Sequence, residues 1–278
     1  MLRFLFLILF TAHATAFTYP PEFAGVRSEV YRTVGDTELR LWFFGKAEEG
    51  HPKPAIVFFF GGGWNSGSPA QFERQAKHFA ERGMIAMVAD YRVKSRNQTP
   101  AVECVKDGKA AIAWVRKHAK RLGIHPERIA AAGGSAGGHV AATTGTLTGF
   151  GSDERPNAMI LFNPVLTLAD LDGWKAKGFG VKGRLGVGKA EDLSPSHHIG
   201  THTPPTLILH GDKDTTVLLS SVQVFEARMK KESRPCKLVV YPGAGHGFFN
   251  RGQTYDETLA EADQFLVDLG WIKPVDTN

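Results

Sequence analysis

Cysteine is nearly absent: Cys104 and Cys236 are the only two in 278 residues. Two cysteines cannot build the dense disulfide framework of a small secreted domain. A chain of this length buries roughly three quarters of its surface on folding and needs no such staple. Both are read as buried free thiols, Cys104 in an expected helix and Cys236 at the start of an expected strand. Long apolar runs are missing too. The run Phe4–Phe10 is far short of the about 20 residues that span a bilayer, so stable membrane insertion is not expected. There is no charge block, low-complexity tract or internal repeat. The formal charge of +5 comes from scattered basic residues, with Lys117, Lys120 and Arg121 falling on an expected solvated helix face. No basic stripe is interleaved with aromatic platforms, which excludes nucleic acid as the expected partner.

The N-terminus carries a processing pattern. Arg3 precedes the apolar run, and the small residues of Ala12-His13-Ala14 and Ala14-Thr15-Ala16 follow it. A basic start, a short apolar core and an A-x-A site predict a signal peptide over residues 1–16 and a single exported domain over 17–278, either secreted or periplasmic. No cysteine follows the run, so a lipid anchor is not expected. Asn97-Gln98-Thr99 is a glycosylation sequon, meaningful only if a eukaryote makes the protein.

The periodicities then alternate. Glu29–Val34 and Thr37–Phe44 flank Gly35-Asp36 and read as a hairpin. Ala55–Phe60 is a continuous apolar run, as in a strand buried on both faces. Pro69–Arg82 has helical spacing and Gly83 as a stop; Met84–Ala89 is the next strand. Thr99-Pro100 reads as an N-cap and first helical residue, opening a helix whose apolar positions step by threes and fours from Val105 to Leu122. Strands are expected at Ile129–Ala132, Ala158–Phe162, Thr206–His210 and Lys237–Tyr241. Helices are expected after Ser135 to about Leu147, over Leu218–Met229 and over Tyr255–Leu269. Between Val165 and Pro204 the period breaks. A hairpin followed by alternating strands and helices implies an α/β fold with a mainly parallel sheet covered on both faces. In such sheets ligands bind beyond the carboxyl ends of the strands.

The chemistry-bearing residues fall at those ends. Ser135 lies in Gly133-x-Ser135-x-Gly137, between a strand and a helix; the flanking glycines relieve the crowding of a tight turn and let the hydroxyl project. A serine hydroxyl needs a base, and the base needs an orienting group. His246, flanked by glycines just after the last strand, is the candidate base. Asp212 and Asp214, after the preceding strand, are the candidate acids: Asp214 is better placed to reach outward, and Asp212 to tie the loop through backbone hydrogen bonds. Gly61-Gly62-Gly63, directly after a buried strand, allows close backbone approach, and Ala136 supplies the amide after the serine. Together they suit a developing oxyanion. Trp64 either lines the acyl or alcohol pocket or packs into the scaffold. His197, His198 and His202 lack an acidic partner in a metalloprotease pattern, and Gly200 and Thr203-Pro204 break any helix there, so no metal site is expected.

The order Ser135, Asp214, His246, the early glycine triplet, the Gly133-Gly-Ser-Ala-Gly-Gly138 elbow and Asp90-Tyr91-Arg92 together resemble the α/β-hydrolase fold. More narrowly, they resemble the esterase and lipase group with an HGGG-type oxyanion loop, including small bacterial feruloyl and acetylxylan esterases. The likeness covers roughly residues 38–270. It implies Ser135 as nucleophile, His246 as general base and acid, Asp214 as orienting carboxylate, and Gly62, Gly63 and Ala136 as oxyanion donors, with no cofactor. One departure stands out: Phe60 occupies the position before the triplet where that group usually has histidine, which changes how the loop is held without removing a proton-transfer group. The expectation is a serine carboxylesterase acting on short-chain or aromatic acyl esters, with a small-molecule or oligosaccharide ester as partner. The segment Val165–Pro204 is too short for a large cap domain, and so the pocket is expected to be open. The alternatives are another acyl hydrolase, such as a lipase or peptidase, and a non-catalytic binding protein on a hydrolase scaffold; the Gly- and Lys-rich stretch 173–190 argues against an apolar lipase lid.

Overall fold

The computed structural model describes residues 19–176 and 183–274. The expected signal peptide, residues 1–16, lies outside the described residues. Among the described residues eight strands form one sheet: β1 (Arg27–Val34), β2 (Thr37–Phe44), β3 (Lys53–Phe59), β4 (Ile85–Ala89), β5 (Ile124–Gly134), β6 (Ala158–Phe162), β7 (Thr206–Gly211) and β8 (Cys236–Tyr241). Their order is β1-β2-β4-β3-β5-β6-β7-β8. The β1–β2 and β2–β4 pairs are antiparallel, and every later pair is parallel. The hairpin forms the antiparallel edge because a two-residue turn can return the chain only antiparallel. The remaining strands are joined by crossovers, as parallel neighbours must be; these carry α-helices except between β6 and β7, where the described residues form only 3-10 turns and irregular structure.

Among the described residues seven α-helices flank the sheet: α1 (Glu73–Glu81), α2 (Lys94–Asn97), α3 (Ala101–Lys117), α4 (Ala119–Leu122), α5 (Ala136–Thr146), α6 (Leu219–Lys231) and α7 (Gln253–Asp268). Successive side chains of a strand face opposite ways, and the core divides accordingly. Val57 and Phe59 pack with Val105 and Ile112 of α3, Val140 of α5 and Phe225 of α6. Ile56 and Phe58 pack with Phe79 of α1 and Leu259 and Leu266 of α7. The apolar run in β3 is thus covered on both faces, as its composition predicts.

Several boundaries differ from the sequence reading. Phe60 falls just outside β3, where its carbonyl receives the Tyr91 hydroxyl. The expected helix Pro69–Arg82 opens as a 3-10 turn, Pro69–Phe72, with the Ser68 hydroxyl accepting from the Ala70 amide. Thr99 is not the N-cap of α3; Pro100 occupies that position. The free amides of Ala101 and Val102 instead donate to the carbonyls of Arg184 and Leu185, each at 2.9 Å. A long-range backbone pairing therefore does the work a cap side chain would do. Leu218, expected as the first residue of a helix, is the N-cap of α6 and is 40% exposed, and Ser221 is buried in that turn. Cys104 and Cys236 are free thiols, the first buried and the second half-buried. No described helix is long and apolar enough to cross a membrane.

Candidate active site

The strand β5 ends at Gly134 and α5 begins at Ala136, which leaves Ser135 alone in the turn, with φ +53° and ψ −118°. A side chain in the left-handed half of backbone space is strained and persists only where its surroundings fix it. The Ser135 amide donates to Phe162 of β6 at 3.0 Å, and its carbonyl accepts from His139 at 3.0 Å and Val165 at 3.3 Å. The neighbouring glycines are required by contact. A Cβ on Gly137 would lie 2.1 Å from the Phe59 carbonyl oxygen and 2.2 Å from that of Phe60. One on Gly133 would lie 2.4 Å from the Gly137 carbonyl oxygen. Those are backbone atoms at the end of β3 and in the first turn of α5, not flexible side-chain ends that could move aside.

The Ser135 hydroxyl is 3.0 Å from His246 Nε2, and His246 Nδ1 is 2.7 Å from Asp214 Oδ2. With Nδ1–H donating to the carboxylate, Nε2 presents its lone pair to the hydroxyl, which is the tautomer proton abstraction needs. The second oxygen of Asp214 accepts the amides of Thr216 and Val217, both at 2.8 Å. Burial pushes the Asp214 carboxyl pKa up, but the hydrogen bond from His246 and those two amides outweigh it and hold it below the usual carboxylate value. Asp212 does something else: its Oδ1 accepts the Gly243 amide at 2.7 Å and ties the loop after β7 to the loop after β8. His210 is buried, donates from Nε2 to the Val217 carbonyl at 2.9 Å and is kept neutral by burial, fixing the turn that carries Asp214.

Ser135 and His246 open into a cleft of about 430 Å³, lined also by Gly61, Gly62, Gly63 and Thr216 and floored by Phe249. All three glycines line the cleft, but the Gly61 amide is taken by Gln71 Oε1 at 2.6 Å, which leaves the amides of Gly62 and Gly63 as the triplet's candidate oxyanion donors. Gly62 has φ +128°, and a Cβ there would lie 2.3 Å from the Ser66 carbonyl oxygen. Phe60, in place of a histidine, is fully buried and stacks on Tyr91, ring centroids 4.0 Å apart.

Trp64 requires a correction. Its pocket-lining role does not hold: it is 6% exposed, its indole N–H donates to His139 Nδ1 at 3.2 Å, and it is not part of the cleft wall. It is a scaffold residue that ties the oxyanion loop to α5. The three histidines of the irregular segment are spent on backbone carbonyls: His197 on Asp170, His198 on Glu191 and His202 on Thr146. Among the described residues no cluster of His, Cys, Asp and Glu is arranged to hold a metal ion. Sequence reasoning missed Gln71, Thr216 and Asn250 in the cleft wall and the buried Asn163, whose Oδ1 accepts the Gly247 amide at 2.9 Å. Only Asn163, in an Asn-Pro pair directly after a buried strand, carried any local signal.

Two family models match the chain: BD-FAE over residues 43–160 and the dienelactone hydrolase family over residues 178–275. Among curated proteins, the esterase LipC of Mycobacterium tuberculosis is 30% identical over 217 residues, 71% of this chain and 53% of LipC. An acetylxylan esterase of Xylanibacter ruminicola is 30% identical over 229 residues, 80% of this chain and 45% of that protein. The chain therefore spans about half the length of these curated relatives. Likeness to solved structures runs end to end. The propionate-bound esterase Est2 of Thermogutta terrifontis is 45% identical with a TM-score of 0.86, covering 93% of this chain and 99% of that one. The same esterase phosphonylated by sarin is 44% identical with a TM-score of 0.87, covering 93% and 100%.

Proposed function

The chain belongs to the esterases of the α/β-hydrolase fold, and on that premise we propose that it is a serine carboxylesterase that cleaves short-chain acyl esters through an acyl-enzyme on Ser135. The observation that carries the reading is the unbroken line from Ser135 Oγ through His246 to Asp214, at 3.0 Å and 2.7 Å, opening on a cleft walled by Gly62 and Gly63. In this mechanism His246 Nε2 takes the hydroxyl proton as Ser135 Oγ attacks the ester carbonyl. The amides of Gly62, Gly63 and Ala136 receive the charge that develops on the carbonyl oxygen. His246 then returns the proton to the departing alcohol, activates a water against the acyl-enzyme and restores the serine as the acid leaves. Asp214 holds the imidazole in the required tautomer and stabilises its charged form.

The cleft and the relatives support a substrate class. A cleft of about 430 Å³ has room for a small acyl group and part of an alcohol, and a similar esterase has been solved with propionate and with butyrate. The likeness to an acetylxylan esterase favours an esterified carbohydrate carrying acetyl or feruloyl groups. The basic start, short apolar core and A-x-A site of residues 1–16 favour action outside the cytoplasm.

A p-nitrophenyl ester series from acetate to palmitate, run on wild type and Ser135→Ala, tests the proposal. Activity falling with chain length and lost in Ser135→Ala is expected. Equal activity in the two proteins removes Ser135 as nucleophile, and a preference for palmitate removes the short-chain reading. Release of acetate or ferulate from esterified oligosaccharides then decides the alcohol part.

A further inference from the structure

The cleft wall contains polar side chains that do not point their hydrogen-bonding groups at the substrate. Gln71 sits in the 3-10 turn before α1, and its Oε1 accepts the amide of Gly61, first of the glycine triplet, at 2.6 Å. Its Nε2 donates to Asn250 Oδ1 at 3.1 Å, across 179 residues of sequence. Asn250 Nδ2 donates in turn to the carbonyl of Gly247 at 2.9 Å, and the Asn250 amide donates to the same carbonyl at 3.1 Å. Gly247 directly follows His246, and its own amide is held by Asn163 at 2.9 Å. One continuous line of hydrogen bonds thus runs from the oxyanion loop to the residue after the base.

The ends of this line are anchored by packing. Phe72, next to Gln71, and Phe249, next to Asn250, are buried and stack with ring centroids 5.7 Å apart. The backbones carrying the two amides are therefore fixed to each other. Phe60, directly before the triplet, is held by its carbonyl, which accepts the Tyr91 hydroxyl, and by its ring; its side chain offers no hydrogen bond to the loop. From these contacts we infer that Gln71 is a positioning residue: with Asn250 it forms a strut that locks the oxyanion amides of Gly62 and Gly63 in register with His246. This inference rests on the esterase reading given above. Donors aimed at a transition-state oxyanion act only if their geometry is held. A loosened strut should therefore lower kcat while leaving ground-state binding, and so KM, nearly unchanged.

The test is a double-mutant cycle of Gln71→Met and Asn250→Leu, which keep side-chain volume but remove the polar groups. Removing an oxyanion donor outright costs about 10²- to 10³-fold. Loosening the loop that carries two of them should lower kcat on p-nitrophenyl butyrate by about 10- to 100-fold, with KM within about twofold. Because either substitution breaks the same strut, the double variant should lose about as much as the worse single one. Hydrogen exchange followed by mass spectrometry supplies a readout independent of turnover: each single variant should speed exchange in both the 60–68 and the 243–251 peptides. A kcat within about threefold of wild type, a loss expressed in KM, additive single losses, or faster exchange only in the loop bearing the substitution would each overturn the inference. If Gln71→Met does not fold, Asn250→Leu alone carries both readouts. If wild type hydrolyses no ester, the esterase reading fails, and the exchange result alone decides whether the strut exists.

Discussion

Acid should weaken the protein through His139, and by an amount the structure fixes. His139 lies in α5, one turn after Ser135, and is fully buried. Its Nε2–H donates to the Leu193 carbonyl at 2.8 Å, and its Nδ1 accepts the Trp64 indole N–H at 3.2 Å. The ring is therefore neutral in the folded state, and a second proton would set two donors against each other in a dry site. Burial lowers the imidazole from its ordinary 6.5 to about 4, opposed only by the bond to Leu193. The unfolded chain binds this proton near 6.5 and the folded one near 4. The contribution is complete above the upper value, is lost as the pH falls through the window, and is constant below it. From about pH 7.5 to about pH 4.5 the loss is about 2.5 kcal/mol. Wild type alone would hide it. Burial raises Asp90 to about 6, and a raised carboxyl stabilises the fold at low pH and stops doing so as the pH climbs from its unfolded value. The two effects run in opposite directions over nearly the same window. The measurement is thus a difference: urea unfolding of wild type and of His139→Gln, whose amide does not titrate, at both pH values. Wild type should lose about 2.5 kcal/mol relative to the variant on acidification, because the Asp90 contribution cancels between them. Parallel curves, with a change below about 1 kcal/mol, would refute a neutral, proton-resisting His139.

Three further outcomes follow from the loops, the elbow and the hairpin. Asp214→Asn removes the carboxylate that fixes the His246 tautomer and should lower kcat by about 10³- to 10⁴-fold; Asp212→Asn keeps an oxygen for the Gly243 amide and should stay within about threefold. Steady-state kinetics on p-nitrophenyl acetate decides, and a loss confined to the Asp212 variant would reverse the two roles. Gly137→Ala would press a methyl to 2.1 Å from a sheet carbonyl and should cost about 3 kcal/mol or more in urea unfolding. Gly35→Ala, at a hairpin glycine with φ +55° and open space around it, should cost about 1 kcal/mol.

Most of the fold was legible because the signals that carry it are local. The all-apolar stretches at β3, β6 and β7 and the stepped apolar positions of α3 and α7 each state their own burial, and the order of elements leaves few topologies for a parallel sheet. The reading failed where long-range contacts replace local ones. Thr99 has the chemistry of a cap, but the first turn of α3 is satisfied by the backbone of Arg184 and Leu185. At the site, Ser135, His246 and the two aspartates were visible because strand ends and glycines mark them. Gln71 and Asn250 were not: each is an ordinary polar residue in a short 3-10 turn, and their meaning lies in a contact 179 residues apart. Trp64 was ambiguous for a related reason. A tryptophan after a glycine triplet points into a cleft or away from it according to its backbone, and a φ of +57° with a histidine partner in α5 turns it inward.

The substitution of phenylalanine for histidine at position 60 then has a structural logic. The Phe60 ring is stacked on Tyr91 on one side and met on the other by Gly67, where a Cβ would lie 2.6 Å from the ring. Arg96 Nη1 donates to the Gly67 carbonyl at 2.6 Å and closes the loop over it. The loop is therefore held in part by an apolar stack, and one of its polar tethers, the Gly61 amide, points to Gln71. Through Gln71 and Asn250 that tether reaches the loop of the catalytic histidine. Two elements that must keep register during acyl transfer are then restrained by one set of contacts, buried beside the stacked pair Phe72 and Phe249, and the rigidity of one becomes the rigidity of the other.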